Sequence, residues 1–170
     1  MKSIKFSMLA IIFALSIFSC KKSTTESTPV LPTPVLPKNY SEITNAHLQA
    51  KDASMTAAVI AASDASGLVM KTGDVFAYKT NNGLYGKFEI VAIDIPTNYK
   101  LTINAITYNA DGAVKISSNG LIIRGTFLCD LDLLIEGIDN TTSDFKWNRV
   151  TTTDTNLEPK NAAKFYKYTF

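Results

Sequence analysis

The chain has 170 residues, 46% hydrophobic and 19% charged, which gives room for one ordinary domain with a short appendage and excludes wholesale disorder. Its formal charge of +2 arises in the first five residues. Lys2 and Lys5 are two of the 17 basic side chains, and without them 15 basic residues face 15 acidic ones. A neutral body offers no electrostatic footprint for nucleic acid, which is excluded as a partner on that ground.

Lys2 and Lys5 precede residues 6–19, FSMLAIIFALSIFS, an uncharged apolar run. It is too short to cross a hydrocarbon core as a helix, which takes about 20 residues. It fits the basic start and apolar middle of an export signal. At its end stand Ile17, Phe18, Ser19 and Cys20. This resembles the lipobox of bacterial lipoproteins. Ile17 and Ser19 match its branched and small positions, whereas Phe18 is bulkier than the pattern. The resemblance implies a signal peptide over residues 1–19 and cleavage before Cys20. It also implies a diacylglyceryl thioether on the cysteine sulfur and an acylated (palmitate-type) new N-terminus as the membrane anchor. Lys21, in place of the aspartate that retains lipoproteins in the inner membrane, implies the outer membrane and leaves the face open. The competing reading is a plain secretory signal with Cys20 as an ordinary small residue.

Residues 20–38 follow as a tether rich in threonine, serine and proline. The stretch has no helical or strand period and cannot bury enough surface to offset ordering entropy. Its doubled PVLP favours polyproline II, a semi-rigid spacer reaching roughly 50–60 Å. A proline-rich ligand for a partner domain is the sharper alternative. A lipidated Cys20 also leaves Cys129, the other cysteine, without a disulfide partner, so Cys129 reads as a small core hydrophobe.

Residues 39–170 read as a single β-rich domain. Turn signals recur at Gly73-Asp74, Asn82-Gly83, Pro96-Thr97-Asn98, Asp111-Gly112 and Asn119-Gly120. Asn82-Gly83 and Asp111-Gly112 predict type I′ hairpins. Between the signals lie β-branched and aromatic segments at 75–80, 84–95, 99–109 and 121–134. Leu101, Ile103 and Ala105 alternate with polar neighbours. Phe88, Ile90 and Ala92 take one face, with Lys87 and Glu89 on the other. Residues 54–62 suit a short helix or a strand, and the β-rich surroundings favour strand. Two late strands are expected at 145–152 and 163–170. The fold class is therefore all-β: an antiparallel meander or Greek-key sandwich, or a partly closed barrel, with room for one short helix near the domain's start.

Chemistry is sparse. The sole histidine, His47, rules out a two-histidine zinc motif and reads as a partly exposed residue at the domain entrance. There is no nucleophile elbow and no phosphate loop. Cys129 has Asp130 beside it, which raises a thiol's pKa rather than lowering it. Asp130 and Asp132, two apart, share a strand face about 6–7 Å apart at Cα, opposite Phe127, Cys129 and Leu131. That pair suits a calcium ion, with Glu136 or Asp139 adding ligands, or a glycosidase pair; the plain reading is a solvated face. Arg124 lies too far along one strand to join them. Trp147 and Phe145 share a face and form a platform for a sugar ring if exposed, with Tyr85 as a further contact, or core if buried. No cofactor is required, calcium being the one candidate. These features lead to a lipid-anchored, non-catalytic binding or structural module of the outer membrane. Its rivals are a glycan- or peptide-capture module and a carboxylate-dependent hydrolase.

Overall fold

The computed structural model describes residues 35–62, 69–94, 97–152 and 154–170, so the signal segment, Cys20 and the tether up to Pro34 lie outside the described residues. Val35–Phe170 forms one compact unit. Its described residues hold a short helix, α1 (Asn45–Ala50), and ten strands: β1 (Ile60–Ala61), β2 (Val75–Lys79), β3 (Tyr85–Asp94), β4 (Lys100–Tyr108), β5 (Val114–Ile123), β6 (Leu128–Asp130), β7 (Ile135–Gly137), β8 (Phe145–Arg149), β9 (Thr155–Pro159) and β10 (Lys164–Lys167). They build two antiparallel sheets, ordered β10-β2-β3-β4-β5 and β1-β9-β8-β6-β7. The domain is a β-sandwich and not a barrel, since each sheet keeps two edges.

Alternation explains the core. In β4, Leu101, Ile103 and Ala105 are buried and the residues between them half-exposed. They meet Phe76, Tyr78, Phe88 and Ile90 of the same sheet and Cys129, Phe145, Trp147 and Leu157 of the other. Aromatic rings run through the centre: Phe88 lies 5.1 Å from Phe76 and 6.4 Å from Phe145, and Phe165 meets Phe145 edge-on at 5.9 Å. Gly86 sits opposite Tyr78 in the β2–β3 register, and a Cβ there would overlap the Tyr78 ring. The glycine is a close-packing residue.

The structure corrects several expectations. Neither hairpin turn is type I′. Gly83 and Gly112 have φ of 82° and 87°, but Asn82 and Asp111 do not have positive φ. Gly83 N–H donates to Thr80 O and Gly112 N–H to Asn109 O, giving a type I turn followed by a left-handed glycine in each case. Asn119-Gly120 is not a turn; β5 runs through it, and the register slips there opposite Asn104. The strand expected over 121–134 is split between the end of β5, β6 and a turn at 131–134. A register shift between Ile90 and Ala92 moves Ala92 off the core face and puts Ile93 there instead. Within residues 54–62, Ser54 ends a 3-10 turn (Asp52–Ser54), Thr56 bridges Phe165 and β1 pairs with β9, so the strand expectation holds only in part. The short helix lies just upstream, and β9 had no strand expectation.

A second layer covers the outer face of the first sheet. Ile43, Leu48 and Met55 pack on Val75, Ala77, Tyr108 and Tyr168. Strand β2 is thereby buried on both faces. His47 caps α1: Nδ1 accepts from Thr44 N–H at 3.2 Å, so Nε2 donates to Val35 O at 3.0 Å. Both ring nitrogens serve structure.

Candidate functional site

The candidate carboxylates do come together, but inside the protein. Asp130 ends β6, Asp132 lies in the turn after it, and Asp144 immediately precedes β8. All three are buried, with relative exposures of 7%, 5% and 0%, and one oxygen from each lies within 4.8 Å of the others. The expected solvated strand face does not exist. The chain leaves the strand at Asp130, so the two-residue alternation that aimed Asp132 outward no longer applies.

Each carboxylate joins neighbouring backbone or turns. Asp130 Oδ1 accepts from the N–H groups of Asp132 (2.9 Å) and Leu133 (3.1 Å), closing the turn on itself. Asp144 accepts from Asn81 N–H at 2.6 Å and from Leu131 N–H at 2.7 Å, one on each oxygen. Asp132 accepts from Thr80 Oγ1 at 3.1 Å and from Asn82 Nδ2 at 2.6 Å. These bonds fasten the β2–β3 turn to the β6–β7 turn, and hence one sheet to the other. The seam continues inward: the Tyr78 hydroxyl lies 2.6 Å from Thr107 Oγ1, which donates to Leu131 O at 2.5 Å. Burial pushes the Tyr78 hydroxyl well above its ordinary pKa, so it stays a donor.

The charge is under-compensated. Lys115, 3.7 Å from Asp132, makes the one ion pair among the described residues that reaches the cluster. Burial, opposed by the two backbone N–H bonds and assisted by Asp132 and Asp130, raises Asp144 from 3.8 to about 7. The remaining sequence candidates lie elsewhere. Glu136 is held by Arg124, whose Nε donates to it at 2.8 Å, so Arg124 meets a β7 carboxylate rather than the aspartates. Asp139 Oδ1 accepts from Thr141 N–H and Oγ1 at 2.8 and 2.7 Å. Neither joins the three aspartates. Asp144 itself escaped the sequence reading, because its partners Asn81 and Leu131 are 63 and 13 residues away. Cys129 is fully buried, and burial, then Asp144 and Asp130, pushes its thiol well above the ordinary range. It is inert core, as expected.

The aromatic platform is overturned. Trp147 and Phe145 are both 0% exposed, and Trp147 Nε1 donates to Tyr99 O at 2.6 Å. Their shared face is the inter-sheet core, so neither offers a ring to a sugar. Tyr85 stands apart from them on the outer face of the other sheet, with the Lys79 ammonium 5.1 Å above its ring. A cavity of about 210 Å³ beside β6 and β7 is lined by Thr126, Phe127, Leu128, Gly137 and Ile138, none of them a candidate residue.

The Asn82 tie gives a direct test of the seam. In Asn82→Asp, an acceptor replaces the amide that donates to Asp132, and a fourth carboxylate joins three. We expect a loss of about 1–2 kcal/mol in urea unfolding at pH 8, with an unchanged slope. An unaltered midpoint would mean that the tie contributes nothing.

The fold and this seam define a class, the all-β sandwich with a buried polar joint between its sheets. No protein-family model, curated protein or solved structure matches the chain.

Proposed function

We propose that this chain is a lipid-anchored protein of the outer membrane whose β-sandwich is a non-catalytic binding or structural module. The anchor rests on the sequence: Ile17, Ser19 and Cys20 directly behind the apolar run, followed by the proline-rich tether. The observation that carries the non-catalytic reading is the use made of the reactive side chains. Cys129, Asp130, Asp132 and Asp144 are buried, and the three carboxylates accept hydrogen bonds from backbone and turn side chains. A hydrolase acting through Asp130 and Asp132 would need them open to a substrate between them. Glycan capture through Trp147 and Phe145 is dropped with the burial of both rings.

Cys20→Ala in the full chain tests the anchor. In cells with the lipoprotein pathway, the wild type should fractionate with membranes and incorporate labelled palmitate, and the variant should do neither. A variant that stays membrane-bound and labelled would overturn the reading.

Calcium at Asp130 and Asp132 is kept as a second reading, favoured by the arrival of Asp144 as a third carboxylate. Hard cations take oxygen ligands in such groups, usually six to eight of them. Hydrogen bonds already occupy five of the six carboxylate oxygens, so a cation would have to share them or displace donors.

A further inference from the structure

Lys87 is the least expected buried group in the molecule. It lies on β3, on the face opposite Phe88 and Ile90, where the alternation predicts solvent, yet it is 3% exposed. Its ammonium donates to Tyr40 O at 2.6 Å and to Ile43 O at 2.7 Å, and stands 4.4 Å over the Tyr40 ring. Among the described residues it makes no ion pair with a carboxylate. Burial lowers its pKa. The two carbonyls belong to the 3-10 turn at Tyr40–Glu42 and the residue that ends it, so the cation sits at the negative end of that turn.

The segment it grips is separate from the core in two ways. Its anchors Ile43, Leu48 and Met55 belong to the outer-face cluster, which shares no residue with the inter-sheet core. It also makes no strand pairing with the sheet until Thr56, whose N–H and C=O both bond to Phe165 at 2.9 Å. Among the described residues, the polar ties from Tyr40–Met55 to the sheet all use side chains. Besides Lys87 they are Tyr40 Oη to Asn104 O (3.4 Å), Tyr168 Oη to His47 O (3.3 Å), the Lys79–Asp52 pair (3.1 Å) and the Lys51 ammonium 5.0 Å over the Tyr166 ring.

We infer that residues 40–55 are a strap that lifts from the outer face of the first sheet as a unit while the sandwich stays folded, with Lys87 as its latch and Thr56 as its hinge. Lifting breaks the two Lys87 bonds and bares only the outer-face cluster while the inter-sheet core stays packed, so it costs less than global unfolding. It also bares Lys87 and the ring-lined surface of Tyr85, Tyr108, Tyr166 and Tyr168, which the closed strap covers. The fold thus contains its own cover for one sheet face. This inference does not depend on the lipid anchor.

Hydrogen exchange on the full chain in detergent tests it. The amides of Leu48, Lys51, Ser54 and Met55 are hydrogen-bonded within the strap, and those of Ile90 and Trp147 within the sandwich. We expect the four strap amides to share one opening, roughly 100-fold or more above that of Ile90 and Trp147. Lys87→Met, which keeps length and loses the donor, should raise all four by roughly tenfold more and leave Ile90 and Trp147 unchanged. One common opening for strap and sandwich in the wild type would overturn the inference without any variant. So would graded fraying of the four amides, or a Lys87→Met effect that is absent or equal in both regions.

Discussion

Trp147→Ala is expected to lower the unfolding midpoint by about 10–20 °C, from a loss of about 3–5 kcal/mol. The indole is wholly enclosed between the sheets, so its removal forfeits a large buried apolar area and leaves a cavity that the flanking strands cannot close. The side chain also supplies the donor that Tyr99 O accepts. Tyr99 belongs to the β3–β4 connection and has a φ of 52°, a left-handed conformation that the surrounding packing must hold. Trp147→Phe separates the two contributions. It keeps most of the ring burial and loses the hydrogen bond, so a loss nearer 1–2 kcal/mol is expected. Calorimetry of the three proteins measures both. In the wild type, strong iodide quenching of Trp147 emission would contradict its place in the core.

The second large effect follows from Asp144. Its carboxyl binds a proton up to about pH 7 when folded, against 3.8 ordinarily. Between those values the folded chain holds a proton that the unfolded chain has released, so raising the pH favours unfolding. This contribution is complete below about pH 4, is lost as pH rises through about 7, and is flat above about 8. A separation of this size is worth on the order of a few kcal/mol. Midpoints measured between pH 5 and pH 8 should therefore fall with pH. A rise across that range would refute the assignment. Asp144→Asn should flatten the profile. It should also cost about 1–3 kcal/mol at pH 5, because its amide must face one of the two N–H donors, from Asn81 or Leu131. Millimolar calcium separates proton from metal. If the three carboxylates take calcium, the midpoint at pH 8 rises and the fall with pH disappears. If they do not, the profile is unmoved and the calcium reading ends.

The sheet seam and the segment over residues 40–55 tie parts of the fold that are distant in sequence. Two turns from different sheets are joined by Asp132 and Asp144, and the outer face of the first sheet is closed by Ile43, Leu48 and the Lys87 latch. The groups with reactive chemistry, Cys129, Asp130, Asp132 and Asp144, are buried.

The sequence by itself determined the class of fold, the strands β2, β3, β4, β8 and β10 to within a few residues, and the core role of Cys129. It could do so because a strand buried on one face must alternate, and that period is a local property. Tertiary structure alone decided the rest. Parity is lost wherever a bulge or turn intervenes, as at Ile90/Ala92, at Asn119-Gly120 and after Asp130, and each loss moves side chains to a different face. Whether the shared face of Phe145 and Trp147 met water or the other sheet was a non-local choice made by packing. The same holds for Lys87, on a face that reads as solvated until residues 40–55 fold over it. Asp130 and Asp132 were legible as a pair; that they are buried, joined by Asp144 and bonded to the Thr80–Asn82 turn was not. Those hydrogen bonds join residues up to 63 positions apart, which no local pattern can register.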